Sequence, residues 1–415
     1  MVRLGWLAIV ASGAGAVLAC ESDDDEPGGS ADGGTAGGPS GSGAHGGTAS
    51  GGRATSGGQA GSTGGANSGT SGRGAATGGS DGSSGKAGGS GGSSANSGSS
   101  GDAGDGGEAN GAGSDSGTAG TGANGALPEG NSGIAARHPG DLGIETDAAV
   151  VFADDFERYS LASDLDDTYD AVYQYDQIRI ATEAANVYAG EKSLEFSVPQ
   201  QDEELSNATD KVLSEERDVL FLRYYSKFMA PFDVVGSSHN GSSISAHYFV
   251  NGNATPGVPA DGTNKFLAAF ENWRGEAETP SPGHLNIYLY HPEQRDNYGD
   301  HLFPTGLVMP NTSIPFDFGP DFVPRDDVIQ ELDRWYCYEY MLKANTPGER
   351  DGRIAFWLDG VLLADFMNLR LRDVPELKID RFGVSLHIGS NPNGVARKWF
   401  DNVVAATSYI GPLVP

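Results

Sequence analysis

His284-Leu-Asn-Ile-Tyr-Leu-Tyr-His291 alternates apolar and polar side chains with a period of two. Leu285, Ile287 and Leu289 fall on one side of an extended chain, and Asn286, Tyr288 and Tyr290 on the other. Successive strand side chains point to opposite faces, so this stretch predicts a half-buried strand. The pattern recurs on either side of it. Ser193 to Val198 alternates; from Phe221 to Phe228, Leu222, Tyr224 and Phe228 oppose Arg223, Tyr225 and Lys227. Phe382, Val384, Leu386 and Ile388 oppose Arg381, Gly383, Ser385 and His387. Ile354 to Leu363 carries Asp359-Gly360 at its centre, the signature of a tight hairpin. Helical periodicity is confined to one short predicted helix over 325–333. Many short antiparallel strands predict an all-β fold, a concanavalin-like β-jelly-roll sandwich.

The sandwich does not use the whole chain. Of 64 glycines, 45 lie in residues 1–140, and residues 21–140 contain no Phe, Trp or Tyr. A stretch so poor in apolar side chains cannot offset the entropy of ordering its backbone. Residues 20–140 are therefore expected to be a long disordered linker of Gly, Ser, Ala and Thr, leaving 141–415 as the folded domain. Both parts are acidic: Lys and Arg number 5 against 12 Asp and Glu before residue 141, and 21 against 44 after it. That balance excludes general binding to nucleic acid or anionic lipid, which requires an excess of cations.

The first residues read as an export signal. Met1-Val-Arg3 is a short basic start, and Leu4 to Ala19 is an apolar run too short to span a bilayer comfortably. Val17-Leu-Ala-Cys20 is similar to a bacterial lipobox, so residues 1–19 are expected to be a lipoprotein signal peptide and Cys20 to carry the lipid. The membrane contact would be that anchor alone, at the bacterial cell envelope, with the protein a monomer. Cys337, the second of two cysteines, is expected to be a buried small hydrophobe.

If the aliphatic side of every strand faces the space between sheets, Arg223, Tyr225, Lys227, Asn286, Tyr288, Tyr290 and His387 project outward. Glu271 and Trp273 continue that phase after Phe266, Ala268 and Phe270. Aromatic rings among cations and amides suit the stacking and hydrogen bonding of sugar rings, and a merely soluble face would carry fewer aromatics. The partner expected is a polysaccharide. The folded part lacks Gly-x-Ser-x-Gly, His-Glu-x-x-His and a Glu-x-Asp-x-x-Glu strand, so serine hydrolases, zinc peptidases and retaining glycosidases of the laminarinase type are not indicated.

Several motifs in order carry a family resemblance: Asp154-Asp-Phe-Glu157, Tyr188-Ala-Gly-Glu-Lys-Ser-Leu194, Tyr288-Leu-Tyr-His-Pro292, Tyr298-Gly-Asp300, Trp335-Tyr-Cys-Tyr-Glu339, Trp357-Leu-Asp-Gly360 and Trp399-Phe-Asp401. Together they resemble the polysaccharide-lyase-like jelly roll of the fungal cellulose-induced protein and its bacterial relatives, with alginate and glucuronan lyases as cousins. The resemblance implies a structural Ca²⁺ between the first and last strands, at Glu157 and Asp401 with main-chain carbonyls near Ala189 and Lys192. It also implies β-elimination from a uronic-acid polymer, or glycan binding without catalysis. Elimination requires neutralising the uronate, removing the C5 proton and protonating the departing oxygen. Tyr288 and Tyr290 align with paired tyrosines of the alginate lyases and are expected to transfer protons. His239 and His247 are the possible bases, and Arg223 or Lys227 would bind the carboxylate. Ser238-His-Asn-Gly241 replaces the Lys-Leu-Pro-Gly of the alginate lyases, and Glu271 stands near a glutamine of the fungal relatives.

Overall fold

A computed structural model of the chain describes residues 126–236, 238–310 and 316–415. The expected signal peptide, Cys20 and the linker as far as residue 125 lie outside these. Among the described residues, two antiparallel sheets carry nearly all the regular structure, one of eight strands and one of nine. The expected β-jelly-roll sandwich is present, and the helical segments are short 3₁₀ turns.

The back sheet runs in the order Val361–Leu369, Gly352–Leu358, Tyr336–Lys343, Val219–Phe228, Ala396–Ala406, Ser193–Val198, Ile178–Ala181. Val150–Asp154 also pairs with Ala396–Ala406, joining the first strand to the last. The front sheet runs Val308–Met309, Asp300–Leu302, His284–Tyr290, Phe266–Trp273, Ser242–Ala246, Ile379–Ile388, Leu205–Arg217, Ala171–Tyr173. The two-residue strand Ser238–His239 pairs with the end of Ile379–Ile388, setting His239 opposite His387.

Alternation places the core as expected. Leu222, Tyr224 and Phe228 of the back sheet meet Phe270, Ile287 and Leu386 of the front sheet in one apolar layer. Each such buried side chain contributes about 1.5–3 kcal/mol. Asp359 and Gly360 have φ of 51° and 77°, which fits the tight hairpin turn read from the sequence. Cys337 is buried and free. No helix forms over 325–333. That segment runs along the front sheet, where Leu285 N donates to Val328 O at 2.9 Å, so an edge hydrogen bond takes the place of helical ones.

The folded body begins before residue 141. Ile134 and Ala135 are buried in a second apolar cluster with Phe221, Trp357, Tyr409 and Ile410, on the outer side of the back sheet. Trp357 Nε1 donates to Pro128 O at 2.9 Å, and Tyr409 OH to Gly130 O at 3.0 Å. Glu339 receives the amides of Ile410 and Gly411 at 2.7 and 2.8 Å. The segment from about 127 to 146 and the last residues thus cover the back sheet together. The expected boundary at 141 falls inside this cover, since residues from about 127 already pack on the back sheet. Among the described residues no helix is long and apolar enough to cross a membrane.

Candidate active site

The cover explains why three expected site residues are not at the site. Arg223, Tyr225 and Lys227 do point outward, but from the back sheet. Arg223 is fully buried beneath the N-terminal segment, its Nη2 2.5 Å from Asp141 Oδ2. Tyr225 stacks on Tyr188 with ring centroids 3.7 Å apart, and its hydroxyl accepts Leu413 N–H at 2.7 Å. Lys227 lies over Trp399 and Trp335 and donates to Ala185 O and Asn186 Oδ1. Their roles in carboxylate or sugar binding are withdrawn; they fasten loops and termini to the back sheet. His247 is half-exposed just after the strand Ser242–Ala246, beside Glu216 Oε1 at 3.1 Å and with a φ of 49°.

The outer face of the front sheet gathers the others. Register sets Glu271 beside Asn286, Tyr288 beside His301, and His239 beside His387. Glu271 Oε2 is 2.7 Å from His239 Nδ1, both side chains being buried. The His239 ring lies 4.9 Å from that of Tyr288 and 5.4 Å from that of His387. Tyr288 in turn lies 4.9 Å from His301, whose Nδ1 donates to Asn286 Oδ1 at 2.9 Å. Ser206 and His387 Nδ1 form a close hydrogen bond across the neighbouring strands. Trp273, partly exposed, stands 5.3 Å from His301 and with it forms the open rim.

Two buried polar atoms on this floor, Glu271 Oε1 and His387 Nε2, have no hydrogen-bond partner among the described residues, though His301 Nδ1 stands 3.9 Å from the first. Each costs stability unless a ligand or water pairs with it. Burial is the main influence on the acids and bases here. It raises the Glu271 carboxyl above its ordinary value against the opposing charges of His239 and Lys398. It pushes His301 down to about 3 and His387 well below the imidazole range, with the charge of His239 adding to both.

Tyr290 meets Tyr288 edge to face, ring centroids 5.6 Å apart, and the Tyr288 hydroxyl accepts Gly299 N–H at 2.9 Å. With Leu267 and Ala269, Tyr290 packs under Tyr248, Ala254 and Ala260. Gly257 N donates to its hydroxyl at 3.3 Å, and the Lys265 ammonium sits 4.5 Å above its ring. His301, Ser206 and Lys265 were not legible as site residues. His301 sits in a three-residue strand too short to show a period, and Ser206 is one of many serines.

The two carboxylates expected to bind calcium both hold the 188–192 loop through its amides. Glu157 Oε1 receives the amides of Glu191 and Lys192 at 2.7 and 2.8 Å, and Asp401 Oδ2 those of Tyr188 and Ala189 at 2.9 and 3.2 Å. Gly190 has φ +75°, and a Cβ there would stand 2.3 Å from Glu157 Oε1, so the loop is shaped around that carboxylate. Asp401 is pushed up to about 7, chiefly by burial, with the charge of Glu157 contributing. Two acids drawn together in a glycine-shaped loop fit a hard cation that accepts carboxylate and carbonyl oxygens. Among the described residues no group of three or more His, Cys, Asp or Glu side chains is arranged around a metal position, so main-chain oxygens would have to complete the set.

The chain is a two-sheet β-sandwich with a polar, aromatic face on its front sheet. No family profile and no curated protein matches it. Among solved structures it is similar to alginate lyase Aly36B, at 15% identity and a TM-score of 0.46, over 64% of this chain and 100% of that one. It is similar to the endo-β-1,4-glucuronan lyase of Trichoderma reesei at 15% identity and a TM-score of 0.39, over 62% and 96% of the two chains. For the cellulose-induced protein Cip1 the values are 15% and 0.36, over 63% and 99%.

Proposed function

We propose that this protein is carbohydrate-directed and cleaves a uronic-acid polymer by β-elimination on the outer face of its front sheet. The observation that carries the proposal is the His239–Glu271 pair, in ring contact with Tyr288 and beside two buried atoms that lack a hydrogen-bond partner among the described residues. With Nδ1–H donated to Glu271, the neutral imidazole of His239 carries its lone pair on Nε2, the nitrogen that would take a proton. A carboxylate that fixes the tautomer in this way makes the imidazole a better base.

In the step proposed, His239 Nε2 takes the C5 proton. The electron pair of that C–H bond forms the C4–C5 double bond, and the C4–O4 bond breaks. The departing oxygen takes the phenolic proton of Tyr288, and the imidazolium proton then restores the phenol. No water is consumed. His387, whose Nδ1 is engaged by Ser206, would carry its proton on Nε2 and donate to the substrate carboxylate. Trp273 offers a ring at the rim on which a sugar can stack.

Ca²⁺, held by Glu157, Asp401 and carbonyls near Ala189 and Lys192, would tie the strands Val150–Asp154 and Ala396–Ala406 to the intervening loop; its role would be structural. Val17-Leu-Ala-Cys20 supports an exported protein anchored through lipid at a bacterial cell envelope, working as a monomer on a tether.

The test is to incubate the full chain with alginate, glucuronan and pectin and follow the ultraviolet absorbance of the unsaturated uronate. Rising absorbance supports elimination. The rival reading, a glycan-binding protein without catalysis, is favoured by one feature: an ionised Glu271 would repel a uronate. Retention of a glycan on an affinity gel with no absorbance would establish that reading and overturn the lyase.

A further inference from the structure

Lys398 is the charged side chain least expected from its position. It alternates with Ala396 and Phe400 on the inward side of the last strand, and it is fully buried between the sheets. Its ammonium lies 3.9 Å over the Phe228 ring, 5.2 Å over Tyr338 and 5.3 Å over Phe400. Its hydrogen bond is to Asn240 O, in the residue that follows His239. An apolar side chain would fill this space without the cost of burying an ammonium.

The segment it grips is otherwise slight, since the strand Ser238–His239 has two residues. Asn240 extends the grip with its side chain, donating to Asn272 O at 2.9 Å and accepting Asn272 N–H at 3.0 Å, and so ties the segment to the strand that bears Glu271. Ser385 N donates to Gly241 O at 2.8 Å from the other side. Glu271 faces His239 and His301 on the outer side of the sheet. From between the sheets its charge is felt by Tyr224, Tyr340 and Lys398. Of these inner groups only Lys398 can answer a carboxylate with a positive charge.

We propose that Lys398 is a positioning residue for the His239–Glu271 pair, fixing the Asn240 backbone and presenting a positive charge to Glu271 through the sheet. The inference rests on the reading of that pair as the working centre, yet its test reads titration rather than turnover. Burial holds the Lys398 ammonium well below the ordinary lysine value, and Glu271 is the group that opposes this; Lys398 in turn favours the ionised Glu271, after His239. Coupling of this kind is reciprocal.

The experiment uses the full chain with ¹³C-labelled histidine, the His239 resonance being assigned with His239→Gln. Lys398→Gln keeps a donor for Asn240 O and removes the charge; Lys398→Met removes both. In either variant with native circular dichroism, the titration of the His239–Glu271 pair should move up by roughly one pH unit, as expected for loss of a nearby cation. An unmoved titration in a folded variant overturns the proposal. If neither variant folds, Glu271→Gln in the otherwise native chain serves instead. The ¹³Cε signal of Lys398 should then titrate at lower pH than in the wild type, and an unchanged midpoint overturns the proposal. A chain that shows the coupling but eliminates no polymer retains this inference and loses the lyase reading. A chain that eliminates polymer without the coupling does the reverse.

Discussion

Glu271 Oε2 lies 2.7 Å from His239 Nδ1, a carboxylate and an imidazole brought together on the outer face of the front sheet by strands 32 residues apart in the chain. If this pair supplies the base, His239→Ala should lower the elimination rate by about 10²–10⁴-fold, the usual contribution of a positioned base. Glu271→Gln should lower it less, and chiefly in kcat, because the imidazole remains but its tautomer is no longer held. Steady-state kinetics on the polymer that gives the strongest absorbance checks both. Equal losses in the two variants would point to a shared structural role.

The two tyrosines of His284–Tyr290 should separate. Tyr288 touches His239 and His301, whereas Tyr290 is held under the 248–260 segment by Lys265 and Gly257. Tyr288→Phe should therefore reduce turnover by at least about a hundredfold. Tyr290→Phe should leave turnover nearly intact and cost about 1 kcal/mol of stability for its lost hydrogen bond. Parallel rate and urea-denaturation measurements distinguish them, and the reverse pattern would move the proton donor to Tyr290.

Arg223 should matter for stability and not for the site. Arg223→Ala would leave Asp141 buried opposite an empty space, at a cost of about 3–5 kcal/mol. Activity per folded molecule should be unchanged. Removing residues 1–140 should have a similar effect, since it uncovers Trp357 and Phe221. Thermal melts of the truncated chain test this directly.

A chelator should lower the melting temperature of the full chain, and added Ca²⁺ should restore it. Asp401→Asn should remove that response, because it takes away one of the two carboxylates proposed to hold the ion. The readout is the difference in melting temperature with and without chelator; the same difference in wild type and variant would place any calcium elsewhere.

His301 should make the protein sensitive to mild acid. In the unfolded chain its imidazole takes a proton near the ordinary value of about 6.5. In the fold, burial and the charge of His239 hold it down to about 3. Proton uptake then favours the unfolded state as pH falls through that window. Between pH 7 and 5 the wild type should lose stability relative to His301→Gln, as measured by denaturant midpoints at each pH. A constant difference would show that the folded ring titrates normally.

The alternations at 284–291 and 382–388 were legible because burial on one face leaves a period of two in the chain. The same rule identified Glu271, Trp273, Asn286, Tyr288 and His387 as outward side chains of strands that proved to share a sheet. It identified Arg223, Tyr225 and Lys227 equally well as outward, and there it misled. Outwardness is a local property of a strand, while the sheet a strand joins is set by pairing with residues far along the chain. Arg223 lies beside Glu339 and Val404, and nothing within ten residues of it indicates that.

What the amino-acid sequence determined by itself was the two-sheet sandwich, the inward side of each strand and the buried Cys337. Tertiary structure decided which outward face stays available. The segment from about 127 to 146 and the C-terminal residues close over the back sheet and turn its cations into fasteners. The front sheet keeps its imidazoles, Glu271 and Tyr288 near a rim at Trp273. The physical reason is that covering a sheet buries apolar side chains such as Ile134, Trp357 and Ile410 against one another. That gain depends on contacts between chain ends almost three hundred residues apart, which no local period records.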